Sequence, residues 1–355
     1  MYKFFNKEDD NLNKKVSVLT GASGHVGYAL LKELIANGEN IRILIRKDNP
    51  IFDNLKCEKV YGDVTDPSSL EKAFDGADIV YHVAGVIDVN TGNEDIVYKV
   101  NVDGTKNVVA ACKKCGVRRL AFTSSVDAIP PLPDNELMHE IDHFSPELVE
   151  GTYAKTKAIA TQYVLDSANE NFEVVIGHPA ACIGPYDYKV SSVGEMVRMF
   201  MFGSFPVTMD FGAYNFVDVR DVAKGIYLAA QKAKSGECFI LSGEVLKIDD
   251  FIAILSMKCL TRKPSFIFKK WMADSVAPIA EMYYKAAKKT PIFTRYSIRK
   301  LVSNCNFSYE KAQKELGYSP ISAKESLNDM VDWIREKDPK SQSAKNNIGN
   351  NIAFS

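Results

Sequence analysis

The stretch KVSVLTGASGHVGYALLKELIANG, residues Lys15–Gly38, decides how the rest of the chain is read. It opens on a β-branched run and passes straight into a turn with glycines at positions 21, 24 and 27. A helical pattern follows and closes at Gly38. This is strand, glycine turn, helix. Glycines let a backbone approach a pyrophosphate closely, and the free N–H groups and positive dipole of the helix start stabilise it. On the loop alone, a tight turn with no ligand is the other reading, so its surroundings must decide.

Working outward, further strands are expected over residues 40–46, 57–63, 78–85, 118–125 and 173–180. Helices are expected near 67–74, 95–114 and 152–168. Mostly apolar strands alternating with helices predict an α/β fold, a doubly wound parallel sheet of the Rossmann type covered on both faces. After Pro185 the alternation loosens into the Met- and Phe-rich GEMVRMFMFGSFP, then YNFVDVRDVAKGIYLAA and one more strand at 237–243. From there to about Glu336 the pattern reads as helical. The expected organisation is a dinucleotide-binding domain at 14–185, to which 217–243 returns. A smaller, mainly helical substrate lobe takes 186–216 and 244–338, over the sheet edge where open α/β sheets bind ligands, and 339–355 is a polar tail.

Composition narrows the partners. The 355 residues suit one elaborated domain or two joined ones. Lys plus Arg 44 against Asp plus Glu 45 leaves a net charge of −1, so no net basic field draws the chain to nucleic acid or an anionic membrane. The start, MYKFFNKEDDNLNKK, has no apolar signal-like core, and no run of 18 apolar residues predicts a membrane span. Seven scattered cysteines fit a reducing cytoplasm. CKKC (Cys112–Cys115) lies on a helical stripe and reads as packing, and HEIDH (His139–His143) lacks further ligands, so no metal is expected.

Later motifs give the glycine loop its context. TGASGHVG, GDV (62–64), HVAG (82–85), NVDGT (101–105), FTSS (122–125), YAKTK (153–157) and FVDVRDVA (216–223) occur in that order. The ordered set resembles the extended short-chain dehydrogenase/reductase family, within the NAD-dependent epimerase/dehydratase superfamily, over about residues 15–335. The resemblance implies a nicotinamide cofactor held by Gly21, Ser23, Gly24, His25, Val26 and Gly27. It implies adenine contacts at Asp63 and Val64, a turn at Ala84 and Gly85 beneath the adenosine ribose and nicotinamide, and a further contact at Pro179. An acidic residue at the end of the second strand binds ribose hydroxyls in NAD-selective Rossmann proteins, whereas Arg accepts a 2′-phosphate. Arg46 followed by Lys47 favours NADP(H), with NAD(H) as the alternative.

Tyr153 and Lys157 stand four apart on a predicted helix, so they share a face. The resemblance makes Lys157 the ammonium that lowers the phenol's pKa and holds the nicotinamide ribose. Tyr153 then exchanges a proton with the substrate oxygen, Ser125 hydrogen-bonds that oxygen, and Asn101 orders a water beside the lysine. Ser124 is the neighbouring candidate, and strand alternation allows only one of the two serines to face the site.

Departures from the nucleotide-sugar pattern guide the substrate reading. HPAACIGP carries His178 and Ala181 where sugar-nucleotide enzymes often have Arg and Asn, and Val126–Asp127 replaces the Asp-Glu of dehydratases. The chain looks closest to the dihydroflavonol-reductase-like and 3β-hydroxysteroid-dehydrogenase-like branch. A bulky apolar carbonyl or alcohol is expected against Val86, Ile87, Ile129, Tyr186, Met196, Met199 and Phe200. RKLVSNCNFSYEKAQKELGYSP is expected to brace the lobe, and a homodimer follows family habit. Two other functions stay open: an NAD-dependent nucleotide-sugar epimerase and a noncatalytic, dinucleotide-binding redox sensor.

Overall fold

The computed structural model describes residues 15–87, 93–203, 208–272, 275 and 295–337. The leader, the 339–355 tail and the end of the Met- and Phe-rich segment therefore lie outside the described residues. The first strand, β1 (Val16–Thr20), is buried along nearly its whole length and enters the glycine turn. Gly21 takes φ +79°, and α1 (His25–Ala36) starts from Gly24. Gly38, at φ +71°, reverses the chain into β2 (Asn40–Ile45).

The unit repeats through β3 (Glu58–Tyr61), α2 (Pro67–Phe74) and β4 (Ala77–His82). Helix α2 is started by the Asp66 carboxylate, which accepts from Ser68 N, with Pro67 in its first turn. The expected long helix at 95–114 is interrupted. It runs as α3 (Glu94–Tyr98), a π-helical turn over Lys99–Asp103 and α4 (Gly104–Lys114), and the wide turn carries Asn101. Next come β5 (Arg119–Thr123), α5 (Thr152–Asp166) and β6 (Glu173–Pro179), then the short β7 (Ala181–Ile183) and α6 (Ser192–Met201).

Beyond α6 lie β8 (Thr208–Met209), β9 (Ala213–Asp218), α7 (Val219–Lys232) and β10 (Cys238–Leu241), and then β11 (Glu244–Lys247), α8 (Ile248–Cys259) and β12 (Ile267–Phe268). The described residues close on α9 (Arg295–Val302), α10 (Glu310–Leu316) and α11 (Ala323–Lys337). Seven strands form one parallel sheet in the order β10-β6-β5-β4-β1-β2-β3. The order reverses between β1 and β4, which opens a crevice at their carboxyl ends.

The lobe is less purely helical than its sequence suggests. β9 pairs parallel to β7 and antiparallel to β11, and β8 pairs with β12. These strands are two to six residues long, too short for alternation to register against the flanking helices. One core surrounds the large sheet. A second gathers Phe216, Phe251, Leu327, Met330 and Ile334 between β9, α8 and α11. Ala312, Leu316 and Tyr318, which follow the expected boundary at 244, belong to the first core, and the Tyr318 hydroxyl donates to Ser242 O at 3.0 Å.

Candidate active site

A cleft of about 860 Å³ lies over the carboxyl ends of β1, β4, β5 and β6. At one end the glycine turn fits against the β4 exit. A Cβ on Gly21 would come within 2.5 Å of Ala84 N, and one on Gly27 would collide with Gly21 O. Gly24 offers no side-chain cap to α1, and His25 and Val26 at the helix start face the cleft. Helix N–H groups thus border a space shaped by missing side chains, which suits a pyrophosphate. Ser23 is half-buried on the same turn. The residues present fit a dinucleotide.

Around this end the expected contacts fall into two groups. Arg46 and Lys47 follow β2, and the Arg46 guanidinium is exposed, 4.0 Å from Asp63 Oδ2. Asp63 Oδ1 already accepts from Thr65 N at 2.9 Å and Thr65 Oγ1 at 2.8 Å, which shapes the turn after β3. Val64 is buried where Gly104 allows close approach. His25 Nε2 lies 2.8 Å from Pro185 O; burial, the largest influence, holds its imidazole below the usual histidine pKa.

The catalytic candidates converge on one wall. Tyr153, Lys157, Ser125, Gly85 and Pro179 all line the cleft. Lys157 is buried on α5 and donates from Nζ to Thr123 O at 2.8 Å, with Nζ 5.1 Å from the Phe122 ring centroid. Burial pulls its ammonium down to about 8. Gly85 is open because a Cβ there would lie 3.3 Å from Asn101 Oδ1 and 3.5 Å from Lys157 Nζ. Both serines line the cleft, against the expectation that only one would: Ser124 Oγ is 2.6 Å from Thr161 Oγ1 of α5, and Ser125 Oγ accepts from Asp127 N at 3.1 Å. Thr123 Oγ1, also on the cleft wall, is buried with no hydrogen-bond partner among the described residues.

Asn101 clamps one peptide. Its Oδ1 accepts from Val86 N at 2.8 Å, and its Nδ2 donates to Val86 O at 3.0 Å and to Thr156 Oγ1 at 3.2 Å. Behind it runs a chain that motif reading missed. Thr105 Oγ1 donates to Asn101 O at 2.6 Å, so His82 Nε2 donates to Thr105 Oγ1, and His82 Nδ1 accepts from Thr20 Oγ1 at 2.8 Å. Burial, reinforced by the Lys157 charge, lowers the imidazole to about 3, which keeps it neutral in this role. His178 is also neutral: its Nδ1 donates to Ser125 O at 3.0 Å, its ring stacks on Phe144, and burial lowers it to about 4. Its position thus supports the Ser125 turn from beneath.

The apolar lining of the cleft corrects several expectations. Ile87 and Ile129 line the cleft, joined by Val126, Met138, Val149 and Phe307. Val86, Tyr186, Met196, Met199 and Phe200 are not among its lining residues; both main-chain polar groups of Val86 are instead held by Asn101. Tyr186 packs on Tyr28, with ring centroids 5.5 Å apart, and Met196 and Phe200 belong to the second core. Helix α6 turns its apolar stripe toward α8 and α11, so Met and Phe at helical spacing fill the lobe. The segment expected only to brace the lobe instead forms a cleft wall, from Arg299 to Phe307. Lys300 Nζ reaches Asp127 Oδ1 at 2.6 Å, and Arg299 lies 3.8 Å from Glu150. Cys112 is buried in the first core, and Glu140 of HEIDH accepts from Ile240 N at the sheet edge. Among the described residues, no three potential ligands group to hold a metal, and no helix is long and apolar enough to cross a membrane.

The 3-beta hydroxysteroid dehydrogenase/isomerase family model matches residues 18–251, spanning the glycine turn, Ser125, Tyr153, Lys157 and β10. The chain belongs to this family. Within the extended short-chain dehydrogenase/reductases, the 3-beta hydroxysteroid dehydrogenase/isomerase family groups NAD(P)-dependent oxidoreductases. The chain is 31% identical over 330 residues to sterol demethylase protein B of Methylococcus capsulatus, covering 90% of this chain and 98% of that one. It is 28% identical over 347 residues to the decarboxylating sterol-4-alpha-carboxylate 3-dehydrogenase of Saccharomyces cerevisiae, covering 90% and 97%. The crystal structure of gox2253 superposes with a TM-score of 0.80 at 31% identity, over 91% of this chain and 99% of that one.

Proposed function

We propose that the protein is an NADP(H)-dependent oxidoreductase acting on a carbonyl or secondary alcohol of a bulky apolar molecule, of steroid or dihydroflavonol type. The observation that carries this reading is the convergence of Ser125, Tyr153 and Lys157 in one cleft that Ile87, Val126, Ile129 and Phe307 also line. The sterol-directed names of two relatives support the apolar class.

A nicotinamide bound in this cleft would supply or take up the hydride. Tyr153 gives its phenolic proton to the substrate oxygen during reduction and takes it back during oxidation. Ser125 donates a hydrogen bond to the same oxygen. Lys157, charged below about pH 8, holds the ribose hydroxyls and favours the phenolate. Thr123 O fixes that ammonium, and the Asn101 clamp on Val86 keeps the Gly85 turn open beneath it. A redox sensor has no use for a buried lysine beside a tyrosine and serine, which sets the catalytic reading ahead of it.

For the cofactor, Arg46 has only a 4.0 Å contact with Asp63 to give up, so a 2′-phosphate competes for it easily. One charge-assisted contact contributes roughly 1.5–3 kcal/mol. Titration should therefore give NADPH about ten- to a hundredfold tighter than NADH, with the difference lost in Arg46→Ala. Assayed with apolar ketones and with UDP- and dTDP-sugars, the protein should turn over only the ketones. Equal cofactor affinities would remove the NADP(H) preference, and epimerisation of a UDP-sugar would replace the substrate class.

A further inference from the structure

One buried polar side chain of the cleft has no part in the machinery described so far. Asn215 lies on β9, which pairs parallel to β7, with Phe216 opposite Ala181, and antiparallel to β11. It lines the cleft together with Ala180 and Ala181, yet is only 4% exposed. Its amide is held one way round. Oδ1 accepts from Gly243 N at 2.8 Å, and because a backbone N–H can only donate, the oxygen must face Gly243 and the NH2 must face away. Gly243 is packed directly on β9: a Cβ there would collide with Phe216 O.

The other half of the amide is uncommitted. Nδ2 meets no acceptor among the described residues and is not sealed into the core, so its N–H groups open onto the cleft that the residue lines. By contrast, Ser124 is engaged by Thr161, Asp127 by Lys300, Lys157 by Thr123 O and Asn304 by Pro133 O. A donor fixed in place beside apolar walls gains a full hydrogen bond when an acceptor arrives and discriminates against a ligand that offers only a methylene there.

Sheet order gives this donor its place. Gly243 follows β10, and β10 lies two strands beyond β5, on the side away from β1 and its glycine turn. At about 4.8 Å per strand, the β10 exit stands roughly 10 Å past the β5 exit that carries Ser125. With the dinucleotide assigned to the β1 side, Asn215 borders the space into which a substrate extends beyond Ser125.

We propose that Asn215 is a specificity-determining residue: its Nδ2 donates to a second oxygen of the substrate, at the end away from the reacting carbon. This rests on the apolar carbonyl or alcohol reading above and deepens it, because the substrate class becomes a bulky ketone or alcohol with an oxygen at both ends. Such a contact fixes which end of the molecule faces Tyr153.

Three ketones on one rigid skeleton test the assignment: 5α-androstan-3-one, its 17-oxo derivative and its 17β-hydroxy derivative. Their kcat/KM values for reduction at the 3-carbonyl are measured with the native protein, Asn215→Asp and Asn215→Ala, and NADPH and NADH are titrated against each protein. The native protein should prefer both oxygenated ketones to the parent by about three- to tenfold, the range for one neutral hydrogen bond. Asn215→Asp keeps an oxygen toward Gly243 but presents an acceptor to the cleft. It should lose the preference for the 17-oxo compound and keep that for the 17β-hydroxy compound, whose hydroxyl can donate. Asn215→Ala should lose both preferences, with cofactor affinity changed less than twofold; it buries no charge and carries the test where the aspartate variant fails to fold. If the native protein ignores the second oxygen, or the variants keep the native ratios whatever their absolute rates, the role of Asn215 falls and the oxidoreductase reading stands. Variants that bind NADPH and NADH more weakly but keep the ratios would assign the amide to the nicotinamide carboxamide and overturn the proposal. If none of the three ketones is reduced, the substrate reading falls and this proposal with it.

Discussion

Lys157 and Lys300 line the same cleft, and their surroundings differ in kind. Lys157 sits on α5, fully buried, with a backbone carbonyl as its hydrogen-bond acceptor and burial lowering its ammonium to about 8. Lys300 sits on α9, partly exposed, with its charge matched by Asp127 at 2.6 Å. A buried cation that faces no carboxylate is costly in the free protein and gains most when a polar ligand arrives. A paired cation near solvent gains little and mainly ties one segment to another. Lys157 is thus suited to hold a polar ligand, while Lys300 links α9 to the turn after β5.

The strongest way to break this contrast is Tyr153→Phe. Turnover should fall by about 10² to 10⁴, the range for losing a positioned general acid, with cofactor affinity nearly unchanged. Stopped-flow and equilibrium titration measure the two separately, and native turnover in the variant would take the reaction away from this wall. The next largest effect is expected in the lobe. Phe200→Ala should destabilise the protein by about 3–5 kcal/mol in a denaturant titration, with KM for an apolar ketone little changed, because Phe200 fills the second core. A large KM change without lost stability would return Phe200 to the substrate. The smallest effect belongs to Lys300→Met. It should cost under about 1 kcal/mol and leave cofactor affinity intact; a loss of cofactor binding equal to that of Lys157→Met would erase the distinction.

The cofactor end was legible because its residues work through local geometry. Gly21, Gly24 and Gly27 lie on one turn, Tyr153 and Lys157 on one helix face, and Ser124 and Ser125 on successive positions of one strand exit. The network through Thr20, His82 and Thr105 was not legible, although all three residues fall in or beside quoted motifs. A buried histidine becomes a relay only when a threonine sits at each nitrogen, and those partners are 62 and 23 residues away. Asn101 was found by its motif, but its hold on the Val86 peptide depends on a π-helical turn that periodicity read as continuous helix.

Pattern alone determined the alternation of strand and helix, hence the parallel sheet, and the glycine turn at its switch point. It did so because apolar period and φ > 0 are properties of single residues and their near neighbours. Tertiary structure alone decided which apolar residues line the cleft. Met196 and Phe200 have the same composition and spacing whether they line a cleft or a core, and the packing of α6 on α8 and α11 makes them core. It also brought Lys300 onto Asp127, 173 residues away in the chain. Charge attracts across space without regard to chain order, so no local pattern carries that information.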